Sequence, residues 1–213
     1  MKRLFLASEA KHPESMQKLE DFVGGLKSKK IAYIPTAANG ENSYGSWKTG
    51  SDTWKLVNTL EASVEAVVLE EYKGSSVMEV LKSKDILWFA GGACGYLMYW
   101  MRRCEIDKHI NDLLESGSVY VGSSGGSMVC SETLDIAEAF LGEAEHGAKV
   151  IPGLGLIDFN IYPHYGDELL PEIKKVWKGG DLYLIKNGEA ITVVDRRVEV
   201  LGEIRVLRNG KLL

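Results

Sequence analysis

Ser118-Val119-Tyr120-Val121-Gly122-Ser123-Ser124-Gly125-Gly126-Ser127-Met128 is the stretch from which the rest of the chain is read. Gly122 to Gly126 fit the pattern Gly-x-Ser-x-Gly. The short apolar run Val119–Val121 reads as a buried strand, and the residues after Gly126 can start a helix. A strand, a sharp turn and a helix in that order are the context of a nucleophile elbow. Glycine has no Cβ to clash in such a turn. The turn directs the Ser124 hydroxyl away from the backbone. It also leaves the Gly125 amide at a helix N-terminus, where it can face a developing oxyanion. Ser123 is expected to point into the packing beneath the turn. Ser127, in the first helical turn, is expected to cap it.

Working outward, β-type apolar runs alternate with helical patterns. Arg3–Ala7, Lys30–Ile34, Val64–Leu69 and Ile86–Phe89 read as strands. Pro13–Leu26, Ser51–Leu60, Val77–Lys82, Tyr96–Cys104 and Ile106–Glu115 read as helices, with Pro13 suited to a first turn. Thr36–Gly45 reads as a polar loop. The alternation predicts a mostly parallel sheet covered by helices on both faces. Beyond the elbow, Ile157–Tyr162 reads as a strand and Glu168–Lys178 as a helix. Leu182–Ile185, Ala190–Val194, Val198–Leu201 and Ile204–Leu207 are short strand-like runs near the Asn187-Gly188 and Asn209-Gly210 turns, which predicts antiparallel pairing. The expected fold is an α/β sandwich with an antiparallel C-terminal edge, in one domain spanning residues 1–213.

Composition narrows the function classes. With 45% apolar and 26% charged residues the chain has the make-up of a globular protein. Its net charge of −5, without a Lys/Arg-rich run, argues against a nucleic-acid partner. No apolar stretch is long enough to span a bilayer. Met1–Glu9 resembles a signal peptide only briefly, since its apolar run ends at Glu9. Cys94, Cys104 and Cys130 lack metal-type spacing, and reduced thiols in a cytoplasmic protein are expected.

A serine nucleophile needs a base of near-neutral pKa, and the chain offers four histidines. His12 precedes Pro13 at a helix start, His109 lies among charged helical neighbours, and His146 lies in an acidic stretch. His164, in Tyr162-Pro163-His164-Tyr165-Gly166, follows a strand. Ligands of open α/β sheets gather at the carboxyl ends of strands, an address His164 shares with Ser124. Ala90-Gly91-Gly92-Ala93-Cys94-Gly95 follows the Ile86–Phe89 strand and does not fit Gly-x-Gly-x-x-Gly, so a dinucleotide site is disfavoured. Gly92 N–H beside Gly125 N–H would make an oxyanion hole, each donor contributing about 3 kcal/mol in the transition state. Cys94 reads as a small apolar filler.

These pieces resemble the dipeptidase E family of serine peptidases, which includes aspartyl dipeptidases and cyanophycinases. The resemblance rests on Gly91-Gly92 followed by Leu97, Tyr120–Gly126, Gly153-Leu154-Gly155-Leu156-Ile157, Pro163-His164-Tyr165 and Gly188-Glu189-Ala190-Ile191. It implies a flavodoxin-like fold related to class I glutamine amidotransferases, with Ser124 as nucleophile and His164 as base. It also implies a short peptide as substrate and no metal or organic cofactor. Some members resemble a Ser–His–Glu triad with the glutamate in the turn after a late strand. Here that turn is Asn187-Gly188-Glu189, and Asn187 falls at the glutamate's position. Glu189 is the favoured third member, with Asn187, Asp135, Glu138 and Glu143 as alternatives. The arginine that would pair an N-terminal aspartate is absent from Gly166–Gly180, where only Lys174 and Lys175 lie near, so aspartyl specificity is not expected. The readings that remain are a serine peptidase, an amidase or esterase using the same site, and an inactive binding homologue. Each would be a monomer or a homodimer.

Overall fold

Alternation along the first strand sets the layers. In β1 (Arg3–Ala7), Leu4 and Leu6 join one buried apolar cluster while Phe5 and Ala7 join another. Successive side chains of a strand face opposite sides, so both faces of this strand are covered. The computed structural model describes residues 1–141 and 152–213. Its other strands are β2 (Lys30–Ile34), β3 (Ser63–Ala66), β4 (Ile86–Phe89), β5 (Val119–Ser123), β6 (Asn160–Tyr162), β7 (Leu182–Leu184), β8 (Ala190–Val194), β9 (Arg197–Leu201), β10 (Arg205–Arg208) and β11 (Lys211–Leu212). The α-helices are α1 (Pro13–Val23), α2 (Thr36–Glu41), α3 (Trp47–Gly50), α4 (Asp52–Val57), α5 (Met78–Leu81), α6 (Cys94–Arg103), α7 (Ile106–Glu115), α8 (Gly125–Met128) and α9 (Leu170–Val176).

A seven-stranded sheet has the order β3-β2-β4-β5-β1-β8-β9. Its first five strands in that order are parallel; β8 runs antiparallel to β1, and β9 antiparallel to β8. One face is covered by Leu19 and Val23 of α1, Trp47 of α3 and Val57 of α4. The other carries Leu81 of α5, Leu97 and Met101 of α6, and Ile110 and Leu114 of α7. Each such side chain contributes about 1.5–3 kcal/mol on full burial. The expected α/β sandwich with an antiparallel edge is the observed architecture.

The tail departs from expectation. Only β8 and β9 extend the large sheet; β11-β10-β7-β6 form a second, four-stranded sheet in which β6 and β7 are parallel. Leu182, Leu184, Ile161 and Leu207 of this sheet pack into the same cluster as α6 and α7. These strands bury an apolar face against that layer instead of prolonging an edge that β9, exposed along most of its length and bearing Arg197 and Glu199, already closes. Boundaries shift for local reasons. Helix α1 stops at Val23, not Leu26, because Gly24 adopts φ 73° and the Gly25 N–H donates to the Glu20 carbonyl. Ser51 caps α4 by accepting from the Trp54 amide at 3.1 Å. The expected loop after Ile34 begins with α2.

Candidate active site

Strand β5 runs into a backbone that few side chains tolerate. Ser124 has φ 50° and ψ −117°, and α8 begins at the next residue. A non-glycine residue in such a region costs about 1–3 kcal/mol, so its surroundings must enforce it. They do so through close backbone approach. A Cβ on Gly122 would lie 2.6 Å from the Gly126 carbonyl oxygen, and one on Gly126 would lie 2.3 Å from that of Phe89. The buried Tyr120 hydroxyl donates to the Gly126 carbonyl at 2.7 Å, propping the turn from below. The Ser124 amide donates to the Ala7 carbonyl at 3.0 Å, and so does the Ser127 hydroxyl at 2.8 Å. Ser127 thus ties the elbow to β1 instead of capping α8. Ser123 points beneath the turn, its hydroxyl accepting from the Ala10 amide at 3.0 Å.

His164 arrives from the second sheet, following β6 and Pro163, with φ 54°. Its Nε2 lies 2.9 Å from Ser124 Oγ, and its Nδ1 lies 2.8 Å from Asn187 Oδ1. A third contact is buried. The Ser8 hydroxyl, fully inaccessible, donates to Asn187 Oδ1 at 3.0 Å and accepts from the His164 amide at 2.7 Å. An amide oxygen only accepts, so it pairs with a protonated Nδ1 and leaves Nε2 unprotonated, able to accept from Ser124.

Strand order explains how residues so far apart in sequence meet. Ala7 of β1 pairs with Ser123 of β5 on one side and with Ala190 of β8 on the other. Ser8 and Ser124 each follow the end of a parallel strand. Because β8 is antiparallel, it begins at that same sheet edge, and Asn187 lies just before it.

Glu189, the favoured third member, is not brought to His164. Its carboxylate is buried, with Oε2 accepting from the Lys186 amide at 2.7 Å and Oε1 from the Glu203 amide at 2.8 Å. Those two amides turn the side chain away from the imidazole and lock the turn that presents Asn187. Lys18 Nζ braces the same turn by donating to the Gly188 and Leu201 carbonyls. Asp135 is exposed and accepts from the Thr133 hydroxyl, Glu138 is exposed, and Glu143 lies outside the described residues. Of the other histidines, His12 caps α1, His109 is exposed beside Asp112, and His146 is outside the described residues. Lys175 pairs with Glu172 on the exposed side of α9. Cys94 is fully buried in the core. Ser8 was missed by the sequence reading. Its signal is slight: one small polar residue where the apolar run of β1 ends.

Gly92 and Gly125 line the cavity that holds Ser124 and His164, about 470 Å³ in volume. Their backbones nearly touch. A Cβ on Gly125 would lie 2.2 Å from the Gly92 carbonyl oxygen, and one on Gly92 would lie 2.3 Å from the Ala37 carbonyl group. Among the described residues, Glu9, Lys11 and Glu41 are the cavity's acidic and basic lining residues besides the histidine, with Tyr33, Tyr162 and Leu141 among the apolar ones. Lys11 Nζ is 3.4 Å from Glu9 and 3.5 Å from Asp52, so its charge is already shared between two carboxylates. Among the described residues no group of three or more His, Cys, Asp or Glu side chains could hold a metal ion. No helix of the described residues is long and apolar enough to cross a membrane.

A parallel sheet with a serine elbow and a histidine at its carboxyl edge is an arrangement found in α/β hydrolytic enzymes. Comparison with known proteins makes the class specific. The sequence profile of peptidase family S51 matches residues 4–201, and the chain belongs to that family: it is a peptidase. It is 26% identical over 209 residues to an uncharacterized peptidase of Listeria monocytogenes, covering 93% of this chain and 97% of that one. It is 21% identical over 230 residues to Peptidase E of Pasteurella multocida, covering 97% and 92%. The crystal structure of a Listeria monocytogenes protein ascribed to Peptidase E superposes with a TM-score of 0.80 at 25% identity, covering 94% of this chain and 98% of that one. The flavodoxin-like architecture agrees with that likeness.

Proposed function

We propose that this chain is a serine-type peptidase that hydrolyses short peptides through an acyl-enzyme on Ser124, with His164 as general base and Asn187 as the residue that orients the base. The observation that carries the reading is the unbroken line Ser124 Oγ, His164 Nε2, His164 Nδ1, Asn187 Oδ1, with contacts of 2.9 and 2.8 Å. Ser124 attacks the peptide carbonyl as Nε2 takes the hydroxyl proton. The Gly92 and Gly125 amides receive the oxyanion, each contributing about 3 kcal/mol where charge develops. His164 returns the proton to the leaving amine, and water, deprotonated by the same Nε2, releases the acid and regenerates Ser124. Asn187 supplies an acceptor without a charge. It fixes the ring and the tautomer, but it gives the imidazolium less electrostatic help than a carboxylate would. A cavity of about 470 Å³ is of a size for short peptides, and among the described residues its lining includes no arginine. That composition favours peptides other than those beginning with aspartate.

The test is Ser124→Ala assayed on a panel of short peptides. Turnover should fall by on the order of 10⁴–10⁶-fold, and a fluorophosphonate should label the parent enzyme at Ser124. Retained turnover, or label on another residue, would falsify the reading. Hydrolysis of esters or simple amides with no peptide cleaved would move the activity to an amidase or esterase on the same residues.

A further inference from the structure

We propose that Ser8 is a positioning residue of the reaction: its buried hydroxyl selects which face of the Asn187 amide meets His164. The inference rests on the Ser124–His164 reading above. An asparagine side chain has a problem that a carboxylate lacks. Its two ends are alike in shape and opposite in hydrogen bonding. With oxygen toward Nδ1, the ring keeps its proton on Nδ1 and Nε2 can act as a base. With nitrogen toward Nδ1, the amide donates, the ring proton moves to Nε2, and the base is lost. Asn187 is exposed, and solvent offers partners to either orientation.

Ser8 breaks that symmetry. Its oxygen already accepts from the His164 amide at 2.7 Å. Its single proton is directed to Asn187, 3.0 Å away, and an oxygen there is what keeps that donor satisfied. A flipped Asn187 would set an N–H group against that hydroxyl proton, and the Ser8 hydroxyl, itself inaccessible to water, would be left without its acceptor. The same His164 bond steadies a residue held at φ 54°. Ser8 is placed for both contacts by β1, whose last residue pairs with the strands that carry Ser124 and follow Asn187.

The test is a double-mutant cycle of Ser8→Ala with Asn187→Asp, read as peptide turnover and as the rate of fluorophosphonate labelling of Ser124. A carboxylate has no donor face to exclude, so the two backgrounds should respond differently. In the parent, Ser8→Ala should lower kcat about 10-fold or more with KM within about 2-fold, the ratio one hydrogen bond to an amide can impose on an orientation equilibrium. In the Asn187→Asp background the same change should cost less than about 3-fold, the His164 amide contact being lost in both. Ser8→Thr, which keeps the hydroxyl, should restore most of the rate. Equal losses in both backgrounds would mark Ser8 as merely structural and overturn the proposal. So would an unaffected Ser8→Ala, or an Asn187→Asp enzyme that neither turns over nor labels. If Ser8→Ala is unfolded at the assay temperature, Ser8→Cys, a weak donor of similar size, takes its place with the same expected pattern. Turnover surviving Ser124→Ala would instead remove the reading beneath the proposal, whatever Ser8 does.

Discussion

Replacing Ser124 should separate chemistry from backbone strain. Ser124 sits at φ 50° and ψ −117°, a region that glycine enters freely and other residues do not. Ser124→Ala and Ser124→Gly both remove the hydroxyl and its 2.9 Å contact with His164, so that loss cancels when the two variants are compared. They differ in the Cβ that makes this conformation costly. Relief of about 1–3 kcal/mol of strain is partly offset by about 0.5–1 kcal/mol for the looser unfolded state of a glycine chain. At the middle of those ranges the glycine variant should therefore be the more stable of the two by about 1 kcal/mol. For a chain of this size 1 kcal/mol moves Tm by about 2–4 °C, so its Tm should be higher by a similar amount. Ordinary helical sites give the opposite order, with glycine less stable than alanine by up to about 1 kcal/mol. The assay is paired thermal and urea unfolding at one pH, with equal m-values required before midpoints are compared. A glycine variant equal to or less stable than the alanine variant refutes the claim that the elbow stores strain.

Four further outcomes follow from the geometry. Asn187→Ala should lower kcat by roughly 10²-fold or more, toward the full contribution of a general base, while binding of a product peptide measured calorimetrically stays within a few-fold. Glu189→Gln should leave kcat within a few-fold yet destabilise the fold by about 1–3 kcal/mol, since one of the two amides it satisfies loses its acceptor; a loss of turnover without loss of stability would return Glu189 to the catalytic set. Gly126→Ala should cost about 3 kcal/mol or more in urea unfolding, because its Cβ would lie 2.3 Å from the Phe89 carbonyl oxygen, and backbone cannot step aside as a side chain can. Arg208→Met should destabilise the fold at neutral pH but not in acid. Hydrogen bonding from Arg208 holds the Asp181 carboxyl below its ordinary value of 3.8, so the stability it lends is present above that pH and lost as pH falls through the lowered pKa. Melting curves of both proteins from pH 7 down to pH 2 should therefore converge.

Much of the fold was legible because the governing signals are local. Apolar runs mark β1, β2, β4 and β5, the last three bounded by glycine or proline, and alternation of strand with helix implies the parallel sheet. Which tail strands join which sheet was not legible. Leu182–Leu184 and Ala190–Val194 look alike in sequence, and only the pairing of one with β6 and β10 and of the other with β1 tells them apart. In the site, the elbow announces itself through glycines that its turn requires, and His164 through its place after a strand. The partner of the His164 Nδ1 was harder. A glutamate suggests itself by charge, but Glu189 is consumed by two backbone amides, a fact about Lys186 and Glu203 that no spacing reveals. Ser8 is harder still, because its contacts are with His164 and Asn187, both more than 150 positions away.

Strand β1, seated between β5 and β8, has a consequence for when the enzyme comes into being. Ser8 is made early and Asn187 late, 179 residues further on. A chain emerging from synthesis can form the elbow while the residues that ready the base do not yet exist. On the mechanism proposed above, hydrolytic competence is withheld until β8 docks against the far side of β1. Contacts of such long sequence separation are also the slow ones to form. In refolding from urea, peptide cleavage should return after the bulk of the helical signal, in step with the last kinetic phase. Activity returning together with the helical signal would refute this ordering.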